Sequence, residues 1–360
     1  MIRYARIVNQ YKYEMQKRPN DGLWPRDGNL GDCIQSLAVE NIYKKAGVAT
    51  EELLFVNRDD INKYDGEKCR LAMQSWFGDY ANIFALPWTE KITPIFIGFH
   101  LNAMNHTRER FFHEEIHKKM KPYEPIGCRD RSTRDFLQAL GVNAYFSACM
   151  TLTFDERNET PKDGKTFIVD LDKKVAKKMP KHILKKADHS ITHFYYWNEY
   201  PVSEKGAKEF EDHARQTLER YKNEASLIIT SKIHVAMPSI AMGIPVIFIT
   251  DNLDNERFDV LKGILPLYTY KDIKRVNWNP KKADISELKK AITENAIAQI
   301  SGINVAESAN KLNSVTNNLK CVNFLPKHLR FIRWVRSFFS KSKRRALRIS
   351  FMTTKKSFFK

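Results

Sequence analysis

The stretch that decides the fold is residues 225–249, ASLIITSKIHVAMPSIAMGIPVIFI. Two short apolar runs, Leu227–Ile229 and Val246–Ile249, are rich in β-branched residues and bounded by helix and strand breakers, which is typical of buried parallel strands. The segment between them begins with the polar cluster Thr230–His234 and ends at Gly243–Pro245, which indicates a single helix. The stretch therefore predicts a βαβ unit with polar residues at the carboxyl end of its first strand.

The polar cluster of this unit indicates an anionic ligand. Ligands of open α/β sheets bind at the carboxyl ends of strands, and a helix N-terminus at that position favours anions. Lys232 and His234 place a cation and a titratable group there, two residues apart. Two plainer interpretations stay open, since His234 could only cap or pack the helix and Lys232 could be a solvated surface lysine.

Three segments match the motif pattern of a known family, in that family's order and over roughly residues 25–270. Ser231-Lys232-Ile233-His234 precedes Gly243–Ile247, Gly127–Ser132 opens a helix that runs to Leu140-Gly141-Val142, and Gly28–Asp32 opens the first amphipathic helix. On these residues the chain resembles the polysaccharide pyruvyl transferases. Two departures stand out. Lys232 replaces the family's arginine and lacks its bidentate fork, and Ser147–Met150 stands where the family often has Asp-Pro.

The resemblance implies a transferase that moves pyruvate from phosphoenolpyruvate onto a sugar and forms a pyruvyl ketal. It implies phosphoenolpyruvate as co-substrate, no other cofactor, and a sugar or lipid-linked oligosaccharide as acceptor. His234 is the expected general acid and base, and Lys232 and Arg129 are expected to offset the charge of the departing phosphate. Arg129 and Asp130 could instead be a helix-capping pair, with Asp130 accepting from helix amides.

Further residues complete the expected substrate site. Asn29, Gly31 and Asp32 begin the first helix, where Gly31 permits close approach of the backbone to a ligand. His193 lies in an aromatic run that could stack on an acceptor sugar, although core packing explains it equally well. The expected substrate-binding residues are Asn29, Gly31, Asp32, Asp130, Ser132, His193, Ser231 and Arg257.

Alternating β and α patterns in both halves predict an α/β protein with two Rossmann-like, doubly wound domains facing a cleft. The resemblance points the same way, to the GT-B glycosyltransferase architecture. A polar connector at Asp155–Gly164 separates an N-terminal domain, 1–155, on the acceptor side from a C-terminal domain, 156–323, on the phosphoenolpyruvate side. Predicted elements include strands Leu53–Val56, Ile95–Phe99, His189–Phe194 and Leu265–Tyr270, and helices Asp32–Ala46, Thr107–Lys121, Val175–Lys186 and one beginning at Ser286.

Composition favours a cytoplasmic enzyme without a structural metal. No apolar run approaches the ~20 residues that span a bilayer, and the first residues lack an apolar signal core. The five cysteines form no Cys-x-x-Cys pair, which argues against a disulfide framework or a zinc site. His113–His117 matches the His-Glu-x-x-His pattern, but its charged neighbours indicate a solvated helix face instead.

The net charge of +18 is concentrated in the last part of the chain. Residues 327–360 carry twelve Lys and Arg and no acid, and without them the net charge is +6. In this basic aromatic tail, 324–360, helical spacing places Phe331, Trp334 and Phe338 near one face. Such a segment suits the anionic inner face of a membrane. A solvated tail and RNA binding are the alternatives, but no folded nucleic-acid module accompanies the charge, so no specific nucleic-acid partner is expected.

Two other function classes remain open at this stage. A GT-B-type glycosyltransferase that uses a sugar nucleotide would share the fold and the anion site, because fold does not fix function. A non-catalytic anion-binding protein would be consistent with the replacement of arginine by Lys232. His234 and the Gly127–Ser132 segment favour pyruvyl transfer.

The tail generates the first prediction. The full-length protein should sediment with anionic liposomes at low salt and be released at high salt, because each basic residue near such a surface contributes up to ~1 kcal/mol that salt screens. A chain shortened to end at Phe324 should stay in the supernatant and remain active on a small soluble acceptor. Equal sedimentation of the two proteins would show that the tail is not the anchor.

Overall fold

The computed structural model describes residues 3–9, 17–18, 22–23, 27–79, 84–196, 204–253 and 255–319. Its strands are β1 (Arg3–Val8), β2 (Lys17–Arg18), β3 (Gly22–Leu23), β4 (Asp27–Asn29), β5 (Leu54–Asn57), β6 (Cys69–Ala72), β7 (Trp76–Phe77), β8 (Ile92–Ile95), β9 (His100–Leu101), β10 (Ile126–Cys128), β11 (Ala144–Phe146), β12 (Lys165–Val169), β13 (Ala187–Asp188), β14 (Phe194–Tyr196), β15 (Ala225–Thr230), β16 (Val246–Thr250) and β17 (Leu267–Thr269). Its α-helices are α1 (Leu30–Lys45), α2 (Thr107–His113), α3 (Ile116–Met120), α4 (Arg131–Ala139), α5 (Lys173–Ala176), α6 (Lys181–Leu184), α7 (Glu204–Glu224), α8 (Ile233–Ala241), α9 (Ser286–Ser301) and α10 (Val305–Asn318).

Two parallel sheets organise these elements. The first has the order β5-β1-β6-β8, with Ala5 opposite Leu54 and Leu71. The second has the order β13-β12-β15-β16-β17, and every neighbouring pair in it is parallel. The decisive stretch forms β15-α8-β16, as predicted. A mixed α/β class with parallel sheets is therefore confirmed.

Helix α1 lies in a core that residues of both sheets share. Its apolar side, which includes Ile34, Leu37 and Ile42, packs in one buried cluster with residues of α8, α9 and the second sheet. Tyr43 fixes the far end of the helix to the first sheet, because its hydroxyl donates to the carbonyl of Ala5 at 2.9 Å. Separate apolar clusters cover the other faces of the two sheets. The predicted helix Asp32–Ala46 is confirmed, with its beginning two residues earlier.

Two predictions in the first half need correction. The strand expected at Ile95–Phe99 ends at Ile95, because Gly98 adopts a left-handed φ of 65° and turns the chain. The helix expected at Thr107–Lys121 is divided into α2 and α3 by Glu115, whose φ is 55°. Ile116 and His117, directly after that turn, are buried, so this part of the segment is not a solvated helix face.

Two predictions in the second half also need correction. Pro180 lies between α5 and α6, and since proline cannot continue a helix, the expected helix Val175–Lys186 becomes two short turns. The strand expected at His189–Phe194 is replaced by a turn, in which the Asp188 carboxylate accepts from the Ser190 amide at 2.8 Å. The helix beginning at Ser286 is confirmed as α9. Strands β1 and β6 were not predicted, because their mixed polar and apolar sequences carry no clear period.

The expected tail, 324–360, lies outside the described residues. Among the residues described, no helix combines the length and apolar character needed to cross a bilayer.

The start of α1 generates the second prediction. A Cβ placed on Gly31 would lie 2.9 Å from both Cβ and Nδ1 of His234, which is closer than real Cβ contacts. Gly31→Ala should therefore lower the free energy of unfolding by ~1–3 kcal/mol, as overpacking typically does, despite alanine's better helix propensity. Denaturant titration measures this change in the free energy of unfolding. Lys44→Ala, at an exposed position of the same helix, is the control. A Gly31→Ala protein as stable as wild type would show that α1 and α8 are not in tight contact here.

Candidate anion-binding site

The candidate site is assembled where three strands lead into three helices. Strand β4 leads into α1 through Asn29, whose side chain caps that helix by accepting from the Gly31 amide at 3.0 Å. Strand β10 leads into α4 through Arg129 and Asp130, and β15 leads into α8 through Ser231 and Lys232. The three motif segments therefore occupy the same kind of position, the amino end of a helix that follows a strand.

Direct contacts join these segments. The ring of His234 lies against Gly31, so α8 and the first turn of α1 touch without an intervening side chain. Arg129 is 1% exposed, and its Nη1 donates to Oε1 of Gln35 on α1 at 2.6 Å. Gln35 in turn donates to Asp32 at 3.3 Å, and Asp32 forms an ion pair with Arg58 at 3.2 Å. The structure thus brings Gly31, Asp32, Arg129 and His234 into one cluster.

Asp130 has two functions in this cluster. One carboxylate oxygen accepts from the Thr133 amide at 2.8 Å and caps α4, as the capping alternative predicts. The other lies 2.5 Å from Nδ1 of His100, and both side chains are buried. Burial by itself would raise the pKa of Asp130, but His100, Arg129 and the Thr133 amide outweigh it and lower that pKa to about 2. Asp130 is therefore ionised at neutral pH.

His100 is a site residue that the sequence analysis missed. Burial, followed by the charge of Arg129, lowers its pKa to about 3, so the imidazole is neutral. Because Nδ1 faces an ionised carboxylate, the single ring proton belongs on Nδ1, and Nε2 is a hydrogen-bond acceptor. That Nε2 is buried and has no hydrogen-bond partner among the described residues. The dyad of Asp130 and His100 therefore presents an oriented base.

A usable sequence signal existed for His100. It follows the apolar run Ile95–Phe99 in the way that Arg129 follows Ile126–Cys128, so both residues come after a buried segment. Gln35 was also missed, although it is a polar residue within the apolar sequence of α1. Neither residue belongs to a recognisable motif, which is why the sequence alone did not select them.

His234 is buried and uncharged in the unliganded protein. Burial lowers its pKa well below the usual value, and the positive charges of Arg129 and Arg257 lower it further. The expected general acid and base is therefore neutral in the unliganded site, although such a group works best with a pKa near the working pH. Burial also lowers the pKa of Arg257 to about 10, with Arg129 as the next cause, so both guanidinium groups remain charged at neutral pH.

Four nitrogen atoms of the cluster share one property. Each is buried and has no hydrogen-bond partner among the residues that the structure describes: Nε2 of His100, Nη2 of Arg129, Nε2 of His234 and Nε of Arg257. Unpaired buried donors are costly, with a penalty of ~1–3 kcal/mol each and more when charged. Two guanidinium donors beside two neutral imidazoles are suited to an anionic ligand on which a proton must be moved.

Lys232 is held at the edge of this cluster by an aromatic ring. Its Nζ lies 4.2 Å from the centroid of Phe194, and burial lowers its pKa. Ser231 donates to the carbonyl of Asp170 at 2.9 Å, while the Asp170 carboxylate accepts from the His193 amide at 2.9 Å. Asp170 has a left-handed φ of 48°. It therefore links the turn that carries Lys232 to the segment that carries Phe194.

The described contacts of His193 place its ring in the core. Its Nε2 lies 3.0 Å from the hydroxyl of Tyr221, and the two rings are stacked. Its carbonyl accepts from the Leu30 amide at 2.9 Å and so positions the start of α1. These contacts favour the packing alternative for His193, and its contact with an acceptor stays a prediction. Ser132 is half-buried in the first turn of α4, and no described contact links it to the cluster.

No group of three or more His, Cys, Asp or Glu side chains within the described ranges is placed to hold a metal ion. The histidines of the expected solvated His-Glu-x-x-His helix are separated by the left-handed turn at Glu115, and His117 stacks on Phe112.

Comparison with known proteins identifies the family. The family model for polysaccharide pyruvyl transferases matches residues 29–252, which is more than half of the chain and includes all of the three motif segments except Gly28. The chain belongs to the polysaccharide pyruvyl transferase family. It is therefore a transferase, and its expected acceptor class is a polysaccharide or its sugar units.

Solved structures show only distant similarity. A functionally uncharacterised Klebsiella pneumoniae protein aligns over 72% of this chain and 87% of its own, with 14% identity and a TM-score of 0.39. A Listeria monocytogenes protein assigned as a UDP-N-acetylglucosamine 2-epimerase aligns over 79% of this chain and 74% of its own, with 12% identity and a TM-score of 0.28. No curated protein matches the chain.

The buried histidines generate the third prediction. Burial lowers the pKa of His193 to about 3, so between pH 3 and 6.5 the unfolded chain binds more protons than the folded one. The free energy of unfolding should therefore fall as the pH is lowered through this window, by about 2 kcal/mol at pH 5 for His193 alone. Urea titrations at pH 5, 6, 7 and 8 should show a weaker pH dependence in His193→Gln. The exposed His182→Gln is the control, and equal slopes in His193→Gln and wild type would contradict the prediction.

Proposed function

We propose that this protein transfers the pyruvyl group of phosphoenolpyruvate to two hydroxyls of one sugar, giving a cyclic pyruvyl ketal. The proposal rests on four buried nitrogens without a described partner, from Arg129, Arg257, His100 and His234, whose side chains are near enough to influence one another's pKa values. Family membership supplies the reaction class. No other cofactor is proposed.

Phosphoenolpyruvate presents a phosphate and a carboxylate, and the cluster offers matching donors. Nη2 of Arg129 and Nε of Arg257, which have no partner among the described residues, would donate charge-assisted hydrogen bonds to anionic oxygens. The charges of both arginines act on His234, in the first turn of α8, and the N-terminal amides of that helix favour a negative group. Lys232 supplies a further positive charge near the same helix start. Ser231 and Asp32 orient these groups rather than bind the ligand directly.

The first half of the proposed reaction adds a sugar hydroxyl across the double bond of phosphoenolpyruvate. Nε2 of protonated His234 gives its proton to the methylene carbon, which becomes a methyl group. The central carbon gains oxocarbenium character, and the hydroxyl oxygen bonds to it. Nε2 of His100 accepts the hydroxyl proton, and Asp130 stabilises the resulting imidazolium. The product is a tetrahedral adduct that still carries the phosphate.

The second half closes the ring and restores both histidines. The bond between the central carbon and the phosphate oxygen breaks, and His100 returns its proton to the departing phosphate. Arg129 and Lys232 offset the charge of that phosphate. The second hydroxyl bonds to the same carbon and gives its proton to His234. One phosphate is released, one ketal is formed, and no net proton remains on the protein.

The proposed mechanism requires His234 to be protonated once phosphoenolpyruvate is bound. Burial is the main reason why the pKa of His234 is low in the unliganded protein, and the charges of Arg129 and Arg257 are the next two. A bound ligand with two or three negative charges would offset both, and it would raise the pKa of His234 toward neutrality. Binding of phosphoenolpyruvate near pH 7 should therefore take up a proton.

The remaining features of the proposal concern arrangement and location. We propose that the two parallel sheets belong to two Rossmann-like domains, 1–155 and 156–323, that face a cleft in a GT-B-like manner. We also propose that the enzyme works in the cytoplasm and that the tail, 324–360, holds it at the inner membrane face. A lipid-linked oligosaccharide precursor would be presented there.

The fourth prediction tests the function itself. Wild-type protein with phosphoenolpyruvate and a sugar carrying suitable hydroxyls should release phosphate and form a ketal methyl signal by NMR. Calorimetry in buffers of different ionisation enthalpy should detect proton uptake on binding of phosphoenolpyruvate. His234→Gln should bind without that uptake, and its turnover should be ~10²–10⁴ lower. A wild-type protein stabilised by sugar nucleotides but not by phosphoenolpyruvate would instead support the glycosyltransferase alternative.

Asp130→Asn is the matched variant for the dyad. Its amide oxygen can still cap α4, but its NH₂ group would face Nδ1 of His100 and move the ring proton to Nε2. Turnover should fall by ~10²–10⁴ while the affinity for phosphoenolpyruvate and the fold are retained. Wild-type turnover in this variant would remove His100 from the mechanism and leave the donor site intact.

A further inference from the structure

A cavity of about 680 Å³ lies apart from the anion site. Strands β1 and β5 and helices α1 and α7 form its walls, and ligand-binding pockets typically measure ~300–1,000 Å³. Cys33 and Ser36 of α1 line it, whereas Gly31 and Gln35 face the anion site. Because a helix turns through 3.6 residues, these two pairs lie on opposite sides of α1. The cavity and the anion site are therefore separated by about one helix diameter.

Three of the five charged side chains that line the cavity, Arg6, Glu211 and Arg215, pair with one another and with the neighbouring Glu40, and the other two, Lys208 and Asp212, are exposed and of opposite charge. Arg6 donates to both carboxylate oxygens of Glu211, at 2.7 and 2.8 Å, and lies 3.3 Å from Glu40. Arg215 bonds to the same two carboxylates, at 2.8 and 3.0 Å. Two cations and two anions thus alternate in one network. Together with Lys208 and Asp212, these groups carry three positive and three negative charges, so the cavity has no net charge and favours an uncharged ligand.

The cavity also has an aromatic ring and an unpaired acceptor. Phe55 is 57% exposed, and the guanidinium of Arg6 lies 4.8 Å from its ring centroid and holds it in place. Asn9 is 5% exposed, and its Oδ1 has no hydrogen-bond partner among the described residues. A partly exposed ring, a buried acceptor and a lining without net charge complement a ligand with an apolar face and many hydroxyls. A sugar has these properties.

We propose that this cavity binds neutral sugar residues of the acceptor glycan, away from the ring that receives pyruvate. The carbohydrate site itself does not depend on the proposed function. Only the assignment of its sugar to the acceptor of pyruvyl transfer rests on that function. Binding of non-reacting parts of a substrate can be used to orient the reacting part. Helix α1 would link sugar binding in the cavity to the anion site, since one side of the helix lines the cavity and the opposite side faces the anion site.

Saturation-transfer NMR with methyl glycosides of glucose, galactose and mannose, and with lactose, cellobiose and maltose, tests the proposal without phosphoenolpyruvate. At least one of these sugars should bind wild-type protein. Phe55→Ala and Asn9→Ala should each weaken that binding about tenfold, because they remove the stacking ring and the buried acceptor. Phe55→Trp should keep it. Leu184→Ala, which removes an exposed apolar side chain on α6, is the control and should bind like wild type.

The outcomes separate this proposal from the proposed function. Affinity for phosphoenolpyruvate should be unchanged in Phe55→Ala, and sugar affinity should be unchanged in His234→Gln. Failure of all six sugars to bind, or full binding by Phe55→Ala, would overturn the carbohydrate site even if pyruvyl transfer is observed. Loss of sugar binding in His234→Gln would place the sugar in the anion site and also overturn it. If the protein binds sugar in the cavity but does not bind phosphoenolpyruvate, the result would support this site and contradict the proposed function.

Discussion

The close contact between Gly31 and His234 is the constraint on which the site depends. Because position 31 has no Cβ, the first turn of α1 lies directly against the ring of His234. That approach brings Gln35 to the guanidinium of Arg129, and Asp32 to within the electrostatic reach of both site arginines. A side chain at position 31 would separate α1 from α8 and lengthen each of these contacts. The absence of a side chain at Gly31 therefore determines how closely the starts of α1, α8 and α4 approach one another.

The electrostatics of the cluster follow from burial more than from any single ion pair. His100 and His234 are held neutral chiefly because their charged forms would lose solvation, and the neighbouring guanidinium groups add to this effect. Asp130 stays ionised because His100, Arg129 and helix α4 compensate its burial. The unliganded site thus combines fixed charges with two neutral bases. In the proposed mechanism, such a site responds to a bound anion by a change in the protonation of His234.

The sequence predicted the parts of the fold with strong local patterns. The β15-α8-β16 unit was predicted at nearly its observed bounds, because β-branched runs between breakers leave few alternatives. The segment 107–121 was misassigned because its helical periodicity continues through Glu115, where the backbone takes a left-handed turn that the local sequence does not signal. Within the site, motif residues such as Arg129 and His234 were found. His100 and Gln35 were not, since their roles arise only when separate segments meet.

Asp170 shows how narrowly one turn of the site is specified. Its left-handed backbone, at a φ of 48°, has an energetic cost that glycine would remove. Glycine would, however, leave the amide of His193 without its carboxylate partner and the hydroxyl of Thr192 without its acceptor. Asparagine tolerates this backbone conformation and could accept from the amide while donating to the hydroxyl. Aspartate and asparagine are therefore the residue types that fit this position, and glycine here would release the segment that carries Phe194 while the Asp170 carbonyl that accepts from Ser231 would remain.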